Sequence, residues 1–216
     1  MTRALAAVAI LTTVAGRAVV AQQATAPSPG SLLPRSVDRV ASARAAQRDS
    51  ARYDDYFRKY SKRYFGIGFD WRFFKAQGMA ESELNPAARS WVGARGIMQL
   101  MPSTFAAIQS SRPEFQSIDD PEWNIAAGIM HNRYLWRRWE RDVADEERRR
   151  FMFGSYNAGD GTIARARGIA RAAQLDNTRW QSIEKVAPSV QRWRYRETLG
   201  YVRKIERNYD KLRVKR

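Results

Sequence analysis

The chain has 216 residues, no cysteine and a single histidine, His131, and its 38 basic residues outnumber 22 acidic ones for a net charge of +16. Disulfides, thiol nucleophiles, cysteine-based zinc sites and any site needing two histidines are thereby excluded, so chemistry must come from carboxylates, hydroxyls and amides. The positive balance favours polyanions, whether nucleic acid, anionic lipid or cell-wall polymer, without choosing among them.

In chain order, Met1-Thr2-Arg3 gives a basic start, Ala4 to Ala15 a mostly apolar run, and Val19-Val20-Ala21 a small-residue cleavage site. Residues 1–21 therefore read as an export signal. Gly16 and Arg17 interrupt an apolar run already short of the roughly 20 residues a spanning helix needs, so no stable membrane insertion is expected after cleavage. Residues 22–35, rich in Ala, Ser, Pro and Gly, read as a flexible linker, because they bury too little apolar surface to offset ordering entropy. Residues 36–63 read as an N-terminal helical extension in which Tyr53, Tyr56, Phe57 and Tyr60 fall on one core-packing face. The remaining 64–212, about 150 residues, suit one compact domain.

Beyond residue 64 the pattern is of helices joined by short loops, with neither alternating strands nor an internal repeat, so the fold class is mostly α. Asp70 is placed to cap a helix carrying Trp71, Phe74, Gly78 and Glu81 on one side. Pro102 opens a second, with Phe105 and Ile108 inward. Asp120-Pro121 starts a third, with Trp123, Ala126, Ala127, Met130 and Tyr134 sharing a face. Asp142 to Arg150 reads as a charged connector into a helix over Phe151 to Asn157, and its run Arg148-Arg149-Arg150 as a solvated face. Ala158-Gly159-Asp160-Gly161 ends that helix, Thr162 to Gln174 forms another, and Arg194 to Leu212 a last one with Leu199, Val202, Ile205 and Tyr209 inward.

Glu81 would lie near the carboxyl end of its helix, where the dipole disfavours an ionised carboxylate, and apolar neighbours such as Met79 and Met98 would add desolvation. Both effects raise its pKa. A carboxylic acid kept protonated near neutral pH is suited to protonating a glycosidic oxygen.

Several fixed offsets then coincide: Glu81-Ser82, Ser90, Gly93-Ala94, Gly96, and Met98-Gln99-Leu100-Met101-Pro102. Farther on come Asn124-Ile125 with Gly128, Tyr156-Asn157-Ala158-Gly159, and Glu197-Thr198-Leu199-Gly200-Tyr201-Val202. This set resembles the lytic transglycosylases of the lysozyme-like superfamily, which cut the glycan strands of bacterial peptidoglycan. The resemblance implies a lysozyme-like helical domain, of the goose-type lysozyme and SLT kind, with a substrate cleft. It makes Glu81 the catalytic acid, and gives Ser90 and Gln99 hydrogen bonds near the acid and the sugar's polar substituents. Met98 and Met101 would line the groove, the Tyr156 hydroxyl would point at the acid, Asn157 at the substrate, and Glu197 into the groove. The Asn124 helix would be structural.

Taken singly, these residues have plainer readings. The methionines suit core packing, Ser90 a loop hydroxyl, Tyr156-Asn157-Ala158-Gly159 a helix stop, and Glu197 an exposed partner for Arg194 and Arg196. Departures from the family pattern are Gly154-Ser155 in place of an Ala pair, Asp160 where Pro is common, and no Pro before the Glu197 motif.

The implied reaction cleaves the bond from N-acetylmuramic acid to N-acetylglucosamine without water, closing a 1,6-anhydro ring, with no metal or organic cofactor. The implied partner is the peptidoglycan glycan strand, met as a monomer in the bacterial periplasm or cell envelope, and a secretion or appendage complex is compatible. Two rivals remain open at this stage. A hydrolytic muramidase would share the acid and cleft but use water. A non-catalytic basic module would bind wall or nucleic acid through Trp136, Trp139, Trp180 and Trp193 among the arginines, although the export signal argues against nucleic acid.

Overall fold

Charge and proline set most helix ends in this chain. Asp120 caps its helix by accepting the Glu122 and Trp123 N–H groups at 2.8 and 3.1 Å, with Pro121 in the first turn. Asp54 and Asp55 open another helix that closes on Lys62 and Arg63, both signs matching the helix dipole. A computed structural model describes residues 51–214. The expected signal at 1–21, the linker at 22–35 and residues 36–50 of the expected extension lie outside the described residues.

Eight α-helices occur among the described residues: α1 (Asp54–Phe65), α2 (Arg72–Ser82), α3 (Pro102–Ser111), α4 (Pro121–Trp139), α5 (Asp145–Ala158), α6 (Asp160–Ala172), α7 (Trp180–Val186) and α8 (Tyr195–Val214). A 3-10 turn at Ala187–Ser189 follows α7. No strand is present among them, only isolated antiparallel bridges from Arg95 to Arg89 and Leu100. The centre is α5, whose consecutive Phe151, Met152 and Phe153 are all buried because α4, α6, α7 and α8 surround it. α2 packs mainly on α8, and α1 on α4. Phe57 and Tyr60 of α1 enter this core, and the buried Lys75 ties α2 to Asp54 at 2.5 Å.

Several element ends differ from the sequence reading. Asp70 stands one residue before the α2 N-cap, yet its carboxylate accepts the Arg72 N–H at 3.0 Å. The expected connector is helical from Asp145, because Asp145, Glu146 and Glu147 complement the N-terminal dipole. Arg148 is not solvated: it is buried over the Trp136 ring and donates to the Val143 carbonyl at 2.9 Å. On α4, Ala126 and Ala127 are buried as expected, but Tyr134 is exposed and the inward face also takes in Ile125, Ile129, Leu135, Trp136 and Trp139. α7 has no periodic signal long enough to read; packing against α5 and α6 makes its seven residues helical.

Trp136, Trp139, Trp180 and Trp193 are all buried, which removes them as a nucleic-acid stacking surface. Two of them account for the Gly154-Ser155 departure. A Cβ on Gly154 would meet Trp180 Cη2 at 2.3 Å, and Ser155 Oγ accepts the Trp139 indole N–H at 3.0 Å. Gly128 of α4 plays a similar part, since a Cβ there would stand 2.7 Å from Met98 Cβ. Gly128→Ala should therefore cost about 1–3 kcal/mol of stability through overpacking, read as a lower urea midpoint at unchanged slope.

Candidate active site

Glu81 sits one residue from the end of α2, where Glu83 (φ 57°) and Leu84 (φ 66°) turn the chain through left-handed backbone. Its side chain is only partly open to solvent. Burial pushes its pKa up to about 8, against the Tyr201 hydrogen bond and the Lys204 charge, which pull the other way. The Tyr201 hydroxyl donates to Glu81 Oε1 at 2.5 Å, and Gln77 Nε2 donates to the same hydroxyl at 3.1 Å. Lys204 donates to the Ala80 carbonyl at 2.8 Å, which closes the end of α2 and brings a cation near the acid. The Tyr201 and Tyr156 hydroxyls are held well above their ordinary range, chiefly by burial, so both stay protonated.

Residues 83–100 form a loop folded back over this helix end. Ser82 Oγ donates to the Ile97 carbonyl at 2.9 Å. Asn124 of α4 clamps the loop from beneath, accepting the Met98 N–H at 2.8 Å and donating to Arg95 O at 3.0 Å and Ile118 O at 2.9 Å. Gly96 has φ 76°, and a Cβ there would lie 2.4 Å from Asn124 Nδ2, so glycine answers both the backbone angle and the close approach.

The residues expected from the sequence fall into different environments. Gln99 is in left-handed backbone (φ 44°), partly exposed, and its amide nitrogen donates to Gly96 O at 2.9 Å and Ala88 O at 3.2 Å. Ser90 closes its own turn, its Oγ accepting the Ala94 N–H at 2.9 Å. Met98 is fully buried against Gly128, so its side chain is a core residue and does not line a groove. Met101, the N-cap of α3, is partly exposed.

Tyr156 donates to the Met98 carbonyl at 2.8 Å rather than to Glu81, and the hydroxyl bonded to the acid is Tyr201's. Asn157 Oδ1 accepts from Thr198 Oγ1 at 2.7 Å, which joins the end of α5 to α8. Glu197, in the first turn of α8, is partly buried with the Arg194 guanidinium at 3.5 Å. His131 packs edge-on against Tyr156, its pKa pushed down to about 4 by burial, with Asp160 opposing.

Tyr201, Gln77 and Lys204 are the site residues that sequence reasoning left out. Tyr201 stands inside the Glu197 motif, four residues on and therefore one turn along the same face. Gln77 is one turn before Glu81, a polar residue on an otherwise inward face, which is the signal that could have found it. Lys204 had no signal apart from its place one turn after Tyr201.

The described residues thus form an all-helical, lysozyme-like domain that sets one half-buried carboxyl beside a glycine-bearing loop. The Transglycosylase SLT domain family matches residues 55–178, more than half of the sequence, and the chain belongs to that family. Its relatives include the membrane-bound lytic murein transglycosylase F of Shewanella pealeana, 30% identical over 187 residues that cover 82% of this chain and 37% of the relative. The protein of the same name from Vibrio cholerae is 32% identical over 177 residues, covering 80% and 31%. The chain thus spans about a third of the length of these curated relatives. Among solved structures, the 70-kDa soluble lytic transglycosylase of Escherichia coli superposes with a TM-score of 0.57 at 29% identity, covering 73% of this chain and 23% of that one.

A carboxyl with pKa near 8 in the folded state and 4.5 as its ordinary value binds its proton more tightly when folded, so its stability contribution is lost as pH rises between those values. Glu81→Gln removes that loss while keeping an acceptor for Tyr201. The variant should therefore melt above the parent, with a larger gain at pH 8 than at pH 5 in paired calorimetric scans.

Proposed function

We propose that this protein is a peptidoglycan lytic transglycosylase that cuts between N-acetylmuramic acid and N-acetylglucosamine and leaves 1,6-anhydro ends. The observation that carries the reading is Glu81, a carboxyl raised to about 8 by burial and bonded to a neutral tyrosine instead of a second carboxylate. Two-carboxylate hydrolases need partners roughly 5–9.5 Å apart. Asp70 lies beyond the opposite end of α2, about 14 Å of helix axis away, and is committed to Arg72 and Tyr209. Glu83, at the C-cap, is exposed.

In the first step the Glu81 carboxylic acid protonates the glycosidic oxygen as the bond from the anomeric carbon breaks, and the N-acetylglucosamine hydroxyl leaves. The substrate's own acetamido oxygen occupies the anomeric carbon. Glu81, now a carboxylate stabilised by the Tyr201 hydroxyl, removes the proton of the C6 hydroxyl, and that oxygen closes on the anomeric carbon while the acetamido group is released. Glu81 regains its proton and no water is consumed. Gln99, Asn157, Ser90, Met101 and Glu197 are the proposed substrate contacts, all partly exposed. Tyr156 supports the loop through the Met98 carbonyl.

The basic surface suits an anionic wall, with a salt-sensitive contribution. Residues 1–21 are proposed to direct export to the periplasm or cell envelope, and no helix of the described residues is long and apolar enough to cross a membrane.

Incubating the protein with purified peptidoglycan should release muropeptides one water lighter than hydrolysis products, as read by mass spectrometry. Glu81→Gln should lower that release by at least 100-fold, roughly the general-acid contribution, while leaving wall binding unchanged. Products with reducing ends would make the enzyme a muramidase, and undiminished release by the variant would remove Glu81 from the chemistry.

A further inference from the structure

A chain of buried amides runs behind Glu81, and the reaction just described makes no use of it. It begins at the Gly128 main-chain carbonyl, which can only accept a hydrogen bond. Asn132 Nδ2 lies 3.0 Å from that oxygen, and this fixes the nitrogen end of the Asn132 amide. The same nitrogen is 2.7 Å from Gln77 Oε1, so Gln77 faces Asn132 with its oxygen. Its nitrogen must then face Tyr201, and it lies 3.1 Å from the hydroxyl. Tyr201 accepts there, and its single proton is left for Glu81 Oε1. One immovable carbonyl thus sets the direction of every bond up to the acid.

Gln77 and Asn132 are fully buried. Asn132 Oδ1 is buried with no hydrogen-bond partner among the described residues, a cost that an apolar side chain at this place would avoid. What an apolar side chain could not supply is the donor that orients Gln77.

Building on the transglycosylase reading, we infer that Gln77, held by Asn132, is a positioning residue. It keeps the Tyr201 proton on Glu81 Oε1 and so leaves the acidic proton of Glu81 on Oε2, the oxygen with no hydrogen-bond partner among the described residues. A tyrosine hydroxyl can donate or accept. Without the Gln77 donor, the Tyr201 hydroxyl is free to turn and accept the proton of Glu81 itself, which takes that proton away from the glycosidic oxygen. The same donation by Tyr201 stabilises the carboxylate form needed to deprotonate the C6 hydroxyl, so one oriented bond serves both halves of the reaction.

The charged and titratable groups around Glu81 leave the Tyr201 bond as the one that Gln77 controls. From α8 come Tyr201 and Lys204, and from α5 comes Tyr156. On α4, His131 packs on the Tyr156 ring, and on α1, Asp54 is paired with Lys75. In the loop, Arg95 is paired with Asp119 and Glu83 is exposed.

The test compares the full chain with Gln77→Leu, Gln77→Met, Tyr201→Phe and the double variant Gln77→Leu/Tyr201→Phe. Two readouts are taken: the Glu81 carboxyl titration by carbon NMR, assigned with Glu81→Gln, and the pH profile of muropeptide release. Losing the oriented bond should weaken Glu81 as an acid by about threefold to tenfold, the equilibrium worth of one such hydrogen bond. Its titration midpoint and the basic limb of kcat should move up together. KM should stay unchanged, and the double variant should be no slower than Tyr201→Phe. An unmoved Glu81 midpoint, or losses that multiply in the double variant, would overturn the inference, because Gln77 would then act only as filling. If neither apolar substitution folds by circular dichroism, the side chain is structural and the inference falls. Failure of the transglycosylase reading would appear separately, as no release by the parent protein, while the NMR titration still decides the Gln77 relay.

Discussion

A carboxylic acid that must hold its proton near neutral pH needs protein around it and no cation paired with it, and much of this fold meets that demand at Glu81. The packing of α2 on α8 supplies most of the enclosure. It places the neutral Tyr201 hydroxyl on the carboxyl and sends the nearest cation, Lys204, to the Ala80 carbonyl. A lysine bonded directly to Glu81 would have pulled its pKa down, as the Lys59 ammonium does to Glu122 near the surface. The contrast between the two glutamates shows one side-chain chemistry taken in opposite directions by its surroundings.

Enclosure on the other side depends on a loop without regular structure, and a loop brought into a core must have its main-chain groups satisfied. Asn124 does this for Met98 and Arg95 while also bonding Ile118 just before α4, and Ser82 does it for Ile97. Each orphaned group would cost about 1–3 kcal/mol, which makes a single buried asparagine more economical than any apolar residue there. Gly96 and Gly128 are small for the same reason, since they let the loop settle onto α4. Tyr156 then bonds the Met98 carbonyl from α5, so two helices hold one residue of the loop.

The high net charge sits apart from this machinery. Many of the arginines are engaged in ion pairs or over aromatic rings, as Arg167 is with Asp142 and Trp139, and as Arg148 is with Asp145 and Trp136. Exposed pairs such as Arg58 with Asp55 add little stability.

Glu81, its loop and the order of the helices could be read from the residues, because fixed offsets such as Glu81 to Ser90 and Met98 to Pro102 are local and helix periodicity is a property of consecutive positions. The place of the Glu81 carboxyl at a helix end follows from about twenty residues of chain. The sequence left Met98 open between core and groove, and did not reveal that Tyr156 bonds a carbonyl or that α7 is a helix. Each of these depends on what another segment places opposite: Gly128 for Met98, the returning loop for Tyr156, α5 and α6 for α7. The hydroxyl on Glu81 comes from 120 residues away, and the amides that orient it come from two helices that no local pattern connects. Hydrogen-bond direction is set by partners in space, so only the tertiary structure could decide which tyrosine meets the acid and which way its proton points.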